Sequence, residues 1–82
     1  MSYRVDIEQA VLRQLNRFPP EALDALISVL ADVTLYPGDP LRTRPGGGPY
    51  ERWAVFGAVG MVTYEVDDGR QVITLTDITW AG

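Results

Sequence analysis

The chain has 82 residues, 46% of them hydrophobic, and seven cations against eleven anions give it a formal net charge of −4. A chain of this length forms one small core, so we predict a single domain over residues 1–82. The lack of cysteine excludes disulfides and thiolate metal sites, and the acidic balance counts against tight, non-specific binding to nucleic acid.

Histidine and lysine are also missing, so every basic side chain is an arginine. Without histidine the chain lacks the commonest general base and the commonest metal ligand. We therefore expect no metal site and no cofactor. No apolar run approaches the ~20 residues that span a bilayer, and the N-terminus lacks the apolar region of a signal peptide. These features predict a cytoplasmic protein that does not bind membranes.

A short strand and two amphipathic helices are predicted in the first half of the chain. Residues 2–6 alternate between apolar and polar side chains, as in a strand. Helical spacing begins at Ile7, with Asp6 as the N-cap. Pro19-Pro20 ends the first helix and opens the second, which extends to near Tyr36. The predicted apolar stripe of the second helix consists of Leu23, Leu26, Ile27, Leu30, Ala31 and Thr34.

Residues 37–49 contain four prolines and four glycines, which is typical of a loop. The run Gly46-Gly47-Gly48 is not followed by the Gly-Lys-Ser/Thr of a phosphate-binding loop, and no helix is predicted after it. We therefore predict a flexible connector between the helices and the sheet.

Three antiparallel strands are predicted next, over residues 52–56, 59–66 and from 72 onward. The Asp67-Asp68-Gly69 turn between the last two predicts a hairpin with a positive φ at Gly69. Strand alternation places Val62, Tyr64 and Val66 on one face and Val59, Met61, Thr63 and Glu65 on the other. In the last strand it places Ile73 and Leu75 inward. It places Val72, Thr74, Thr76, Ile78 and Trp80 on the opposite face. Two interpretations of Trp80 stay open, a core residue or part of an exposed apolar patch.

Few side chains point to chemistry. Asp67 and Asp68 are ordinary turn residues and lack the further oxygen ligands of a hard-cation site. We predict that the tyrosines are strand and core residues rather than catalytic acids, namely Tyr3, Tyr36, Tyr50 and Tyr64. Arg42, Arg44 and Arg52 are the candidate binding residues, because they are expected to cluster between the helices and the sheet. Their alternative interpretation is as solvated arginines.

The order of these elements, with the residues that fill it, resembles the RelE/ParE superfamily of bacterial toxin–antitoxin toxins. The resemblance is carried by Tyr3-Arg4-Val5, Leu15, Phe18-Pro19, Leu26, Leu30, Pro37, Leu41-Arg42, Tyr50 and, most of all, Val62-Thr63-Tyr64-Glu65-Val66-Asp67-Asp68. It implies an α+β fold in the order β-α-α-β-β-β, with two helices packed on one face of a small antiparallel sheet.

The resemblance implies two activities. RelE-like members cut messenger RNA in the ribosomal A site and depend on lysines, arginines and a C-terminal tyrosine, whereas ParE-like members block DNA gyrase. Members of both classes are held by a cognate antitoxin. This sequence departs from the nuclease pattern, with Glu51 and Trp53 where basic residues are expected and Met61 in place of an arginine. Its last strand also ends at Trp80-Ala81-Gly82 without the basic pair and tyrosine of the nucleases, so Arg52 is the one catalytic candidate.

The resulting prediction is a RelE/ParE-type toxin component, or a diverged relative that acts by binding an antitoxin or target protein. The alternatives are a ribosome-dependent messenger RNA endoribonuclease, a gyrase inhibitor and an orphan, non-enzymatic protein-interaction module. The residues favour a non-enzyme without deciding the matter. Arg42, Arg44 and Arg52 would bind the antitoxin or phosphate groups, and the sequence is also compatible with a small homo-oligomer.

Overall fold

A computed structural model describes residues 2–82. Within that range the elements, in chain order, are β1 (Arg4–Ile7), α1 (Gln9–Leu15), α2 (Pro20–Val33), β2 (Thr43–Pro45), β3 (Glu51–Phe56), β4 (Gly60–Asp67) and β5 (Val72–Trp80). The predicted α+β fold and its order are confirmed. The strand β2 is additional, and it lies in the segment that the sequence predicts to be a flexible connector.

The strands form one sheet in the order β1-β5-β4-β3-β2. The pairs from β2 to β5 are antiparallel, whereas β1 pairs parallel with β5. The sheet is therefore mixed, and the prediction of a purely antiparallel one is corrected at this edge. Two helices separate β1 from the rest of the sheet, so no hairpin turn fixes its direction.

Both helices cover the same face of the sheet. Their buried side chains include Val11 of α1 and Leu26 and Val33 of α2. The sheet contributes Ala54, Phe56, Val62, Tyr64, Ile73, Leu75 and Ile78 to the same cluster. Removing these side chains from water is the main stabilising term for a domain of this size.

The first helix starts later than its spacing predicts. Ile7 belongs to β1 and pairs with Leu75, and the Glu8 N–H donates to the Leu75 carbonyl at 3.1 Å. Asp6 is thus a strand residue, and the prediction that it caps a helix is wrong. Glu8 is the N-cap and makes no side-chain capping bond. Pairing with β5 keeps Asp6 and Ile7 in an extended conformation, although their spacing in the sequence is that of a helix.

The second helix is rotated relative to the predicted stripe. Ala22, Leu26 and Val33 are its buried residues, while Ile27 is 64% exposed. Leu26 was correctly placed and Ile27 was not, because adjacent stripes on a helix this rich in apolar residues have similar hydrophobicity.

A β-bulge changes which side of β5 is buried. Thr63 pairs with Asp77 and Tyr64 with Leu75, so Thr76 is an extra residue in β5. The extra residue reverses the alternation. Ile73 and Leu75 are buried as predicted, and Ile78, predicted on the opposite face, is buried as well. Trp80 packs against Phe56 and Phe18, with ring centroids 5.7 and 6.4 Å apart, which agrees with its interpretation as a core residue.

The β4–β5 turn differs from the prediction. Its left-handed residue is Gln71, at φ 55°, and Gly69 does not have a positive φ. Asp67 shapes this turn instead, because its Oδ1 accepts from the Arg70 N–H at 3.0 Å. The glycine with a left-handed backbone is Gly57, at φ 61° in the β3–β4 turn.

Candidate functional site

The segment of residues 37–49 is anchored to the sheet. Pro37 is buried, and the Tyr64 hydroxyl donates to its carbonyl oxygen at 2.7 Å. Thr43 is buried and pairs with Ala54 in the β2–β3 ladder. These contacts connect the end of α2 to the edge of the sheet, and the prediction of a flexible connector is wrong here.

Arg52 lies on the helix-covered side of the sheet. It pairs with Tyr64 across the β3–β4 ladder, and its Nε donates to Thr43 Oγ1 at 2.9 Å. The Thr43 hydroxyl in turn donates to the Asp39 carbonyl at 2.7 Å. Arg52 is thus oriented by the buried threonine of β2, and its terminal nitrogens are the part of the side chain that can meet a ligand.

Arg42 binds two carboxylates. Its Nη1 lies 2.8 Å from Asp32 Oδ2, on α2, and its Nε lies 3.9 Å from Asp39 Oδ2. Both side chains of the shorter pair are substantially exposed, so its contribution to stability is small. The pair nevertheless holds Arg42 toward the helix, on the same side of the segment as Arg52.

Arg44 is directed away from the other two. It pairs with Trp53, and strand alternation places it on the face opposite Thr43. Its Nη1 donates to the carbonyls of Pro40 and Thr43 at 2.7 and 3.0 Å. The structure therefore brings Arg42 and Arg52 together around Thr43 and Asp39 and leaves Arg44 apart.

Tyr64 is fully buried beside this group. Burial raises the pKa of its phenol above 10.0, and the Thr43 hydroxyl and the Arg52 guanidinium offset part of that rise. Its proton is already donated to Pro37. Tyr64 is therefore a structural residue, as the sequence predicts.

The glycine run encloses a carboxylate of its own chain. The Gly47 N–H donates to Glu51 Oε1 at 2.6 Å, and the Gly46 N–H donates to the Glu51 carbonyl at 2.7 Å. A Cβ at Gly46 would collide with the Glu51 side chain at 2.5 Å. These glycines thus allow Glu51 to close the loop, and their N–H groups do not form a phosphate site.

A cleft of about 310 Å³ opens between this loop and the β4–β5 turn. Its lining includes Tyr3, Tyr50, Glu51, Arg52 and Asp68. The Tyr3 hydroxyl donates to Asp68 Oδ1 at 2.6 Å, and this bond raises the pKa of Tyr3. Arg52 thus meets a cleft in which carboxylates outnumber guanidinium groups.

The side of the sheet opposite the helices is uncovered within residues 2–82. The residues that alternate with the buried ones there, called the open face below, are Arg4, Asp6, Arg44, Glu51, Trp53, Val55, Met61, Thr63, Glu65, Thr74, Asp77 and Thr79. Val55 and Met61 are 53% and 38% exposed. Glu51 and Glu65 are direct cross-strand partners, an arrangement that like charges make unfavourable.

Solved structures that share this architecture include toxins of toxin–antitoxin systems. The isolated E. coli RelE toxin superposes with a TM-score of 0.86 at 17% identity, over 99% of this chain and 86% of that one. The RelBE2 toxin–antitoxin complex of Mycobacterium tuberculosis gives 0.82 at 19% identity, over 99% of this chain and 100% of that one. The archaeal RelE–RelB complex of Pyrococcus horikoshii superposes with a TM-score of 0.72 at 20% identity, over 100% of this chain and 98% of that one.

The chain has a RelE-like fold. No model of a known protein family matches it, and no curated protein does. The RelE-like fold is thus retained at a level of identity that sequence comparison does not detect here.

Two further structural findings bear on the chemistry. Residues 2–82 contain no group of three or more acidic side chains placed to hold a metal ion. No helix in the same range is long and apolar enough to cross a membrane. The arrangement can bind anions through the guanidinium groups of Arg42 and Arg52, and it leaves the open face uncovered within residues 2–82.

Sequence reasoning missed the partners of these arginines. Asp32 and Asp39 lie ten and three positions from Arg42. Apart from the position of Asp32 near the end of α2, no sequence pattern indicates that it pairs with Arg42. Thr43, which orients Arg52, lies in the segment that the sequence predicts to be a loop. The strand that contains it, Thr-Arg-Pro, has only three residues. A strand this short shows no periodic pattern in the sequence.

Proposed function

We propose that this protein is a RelE-type toxin component of a toxin–antitoxin system, acting in the cytoplasm by binding protein partners. The observation that carries the proposal is the likeness of nearly the whole chain to RelE toxins, several of them solved with their RelB antitoxins. A fold held over 95% or more of both chains in two such complexes supports a common mode of assembly.

The placement of the cations supports binding rather than RNA cleavage. Cleavage would need several cations arranged to stabilise the charge that develops on the transferring phosphate. Trp53, Val55 and Met61 occupy the middle of the open face, and Arg52 lies on the other side of the sheet. Arginine also stays protonated at ordinary pH, so it cannot transfer protons.

Arg42 and Arg52 are the residues that we propose for the antitoxin. Both can form bidentate pairs with carboxylates, and they lie on the same side of the residue 37–49 segment. An acidic antitoxin segment would displace Asp32 from Arg42 and reach the terminal nitrogens of Arg52. Arg44, bonded to two carbonyls on the open face, does not share this site.

The test is inducible expression in a bacterium, alone and together with any small protein encoded beside the gene as the candidate antitoxin. We expect growth arrest on induction, relief by the antitoxin and co-purification of the two proteins. The double change Arg42→Ala with Arg52→Ala should weaken co-purification, and Arg13→Ala, an exposed change on α1, is the matched control. Unchanged growth without a co-purifying partner would reject the toxin proposal in favour of an orphan interaction module.

A further inference from the structure

The open face combines an apolar centre with an acidic surround. Trp53, Val55 and Met61 lie beside one another, because Val55 pairs with Met61 and Trp53 with Thr63. Asp77 extends this row as the partner of Thr63, and Glu51 and Glu65 form the next pair toward the β4–β5 turn. Glu51 already accepts from the Gly47 N–H, so Glu65 and Asp77 are the exposed carboxylates beside the apolar row. The guanidinium groups of this face are engaged within the chain, Arg44 with backbone carbonyls and Arg4 with Asp6 at 3.5 Å.

We propose that the open face is the docking surface for a basic, amphipathic segment of a partner protein. The proposal rests on the proposed function for the claim that the protein acts by binding, and it names the chemistry of the partner. Apolar side chains of that segment would cover Trp53, Val55 and Met61. Its lysines or arginines would pair with Glu65 and Asp77.

Charge complementarity selects this occupant over two others. RNA would bring phosphates against Glu51, Glu65 and Asp77, which repel them. A second copy of the same face would add its own Glu65 and Asp77 to the interface, while its Arg44 and Arg4 stay bonded within their own chain. The added carboxylates would therefore repel those already there. A basic segment instead supplies opposite charge to Glu65, whose direct cross-strand neighbour Glu51 carries a like charge.

The probe is an 18-residue amphipathic peptide made of leucine and lysine, titrated into the folded protein. Its counterpart, made of leucine and glutamate in the same pattern, tests for the charge. We expect the lysine peptide to bind, to lose affinity as salt is added and to shift the NMR signals of Trp53, Val55, Met61 and Glu65. Trp53 provides a second readout, since the change in its fluorescence should vanish in Trp53→Phe while core Trp80 remains.

Neutral substitutions assign the charges. Glu65→Gln and Asp77→Asn should each raise the Kd of the lysine peptide about 1.5- to 5-fold, the range for exposed ion pairs. Glu21→Gln and Asp24→Asn remove the same charge from exposed positions on α2 and should leave the Kd unchanged. All four changes are at exposed sites, and the mapping of shifts on the unaltered chain locates the site without any variant.

Several results would overturn the inference. They are a Kd for the lysine peptide weaker than about 1 mM, equal binding of the glutamate peptide, shifts confined to the helix side, dimerisation through the open face, or tighter binding of a single-stranded RNA there. The growth assay separates the two proposals. Growth arrest without peptide binding rejects only the docking surface, whereas peptide binding without growth arrest rejects only the toxin function.

Discussion

Tyr64 illustrates how one buried hydroxyl joins two parts of the molecule. It reaches from β4 to the Pro37 carbonyl at the start of the loop, and it lies beside Thr43 and Arg52. A buried acceptor left without its donor costs about 1–3 kcal/mol. The phenol thus stabilises the segment that carries the candidate arginines, without taking part in chemistry.

Tyr64→Phe should lower the free energy of unfolding by about 1–3 kcal/mol at neutral pH, because the Pro37 carbonyl loses its donor. The pKa of Tyr64 is raised above 10.0 in the folded protein, so its contribution is fully present below pH 10.0 and is lost as pH rises through the folded pKa. The difference in unfolding free energy between the parent and Tyr64→Phe should therefore shrink as the pH rises above 10.0.

Denaturant titrations at several pH values measure this difference, and a difference that stays constant with pH would contradict the prediction. Tyr50→Phe, at a side chain 70% exposed, should leave neutral-pH stability unchanged.

Alanine substitutions at two turn glycines show how much a left-handed backbone contributes to the cost of adding a side chain. Gly57→Ala should cost about 1–2 kcal/mol, because φ at this position is +61° and a Cβ is unfavourable there. Gly69→Ala should change the stability little, since a Cβ there would meet its nearest atom at an ordinary 3.6 Å. Chemical denaturation of both variants checks the order. A larger loss at Gly69 would show that the β4–β5 turn depends on that glycine after all.

The secondary-structure elements were predictable where their periodicity was long and unopposed. The hairpin of β4 and β5 follows from alternation and from the Asp-Gly turn signal, even though Gln71 and not Gly69 takes the left-handed backbone. The bulge at Thr76 was not predictable, because a single added residue leaves no mark in the pattern and reverses every later position. The predicted start of α1 was wrong for another reason, because the pairing of Ile7 with Leu75 outweighs the helical spacing of the local sequence.

Adjacent residues of α2 test which face of the helix is buried. Leu26→Ala should cost about 2–5 kcal/mol, as should Ile73→Ala on β5, because both side chains are buried in the same cluster. Ile27→Ala is the control, at a side chain 64% exposed, and should change the stability by less than about 0.5 kcal/mol. Denaturant midpoints compare the three. Equal losses at Leu26 and Ile27 would mean that the helix is rotated from its described position.

At the scale of the whole molecule, the fold was predictable and the site only in part. The order of the elements followed from the sequence, and one domain over residues 1–82 stays a prediction, to be checked by a single cooperative unfolding transition. The arginines of the candidate site were found from residue type alone. Their separation onto two sides of the sheet depends on the register of β2 against β3, which a three-residue strand does not disclose.

We expect no ribosome-dependent cleavage of messenger RNA by the purified protein. Arg52 is oriented by Thr43 on the helix-covered side, and Trp53 and Met61 hold the neighbouring positions of the open face. A ribosome assay on a defined message is the measurement, with Arg52→Ala alongside. Robust cleavage by the parent that disappears in this variant would place the protein among the active nucleases.

The parallel pairing of β1 with β5 bears on how the chain reaches its folded state. Arg4 and Val72 are neighbours in the sheet although nearly the whole chain lies between them, and β5 also supplies Ile73, Leu75 and Ile78 to the cluster under the helices. Contacts between distant parts of a sequence form slowly, because the intervening loop must close before they add any stability. On the ribosome, where synthesis proceeds from the N-terminus, the helices and β1 emerge well before their partner strand. The chain thus has neither its complete core nor its complete sheet until β5 has been made.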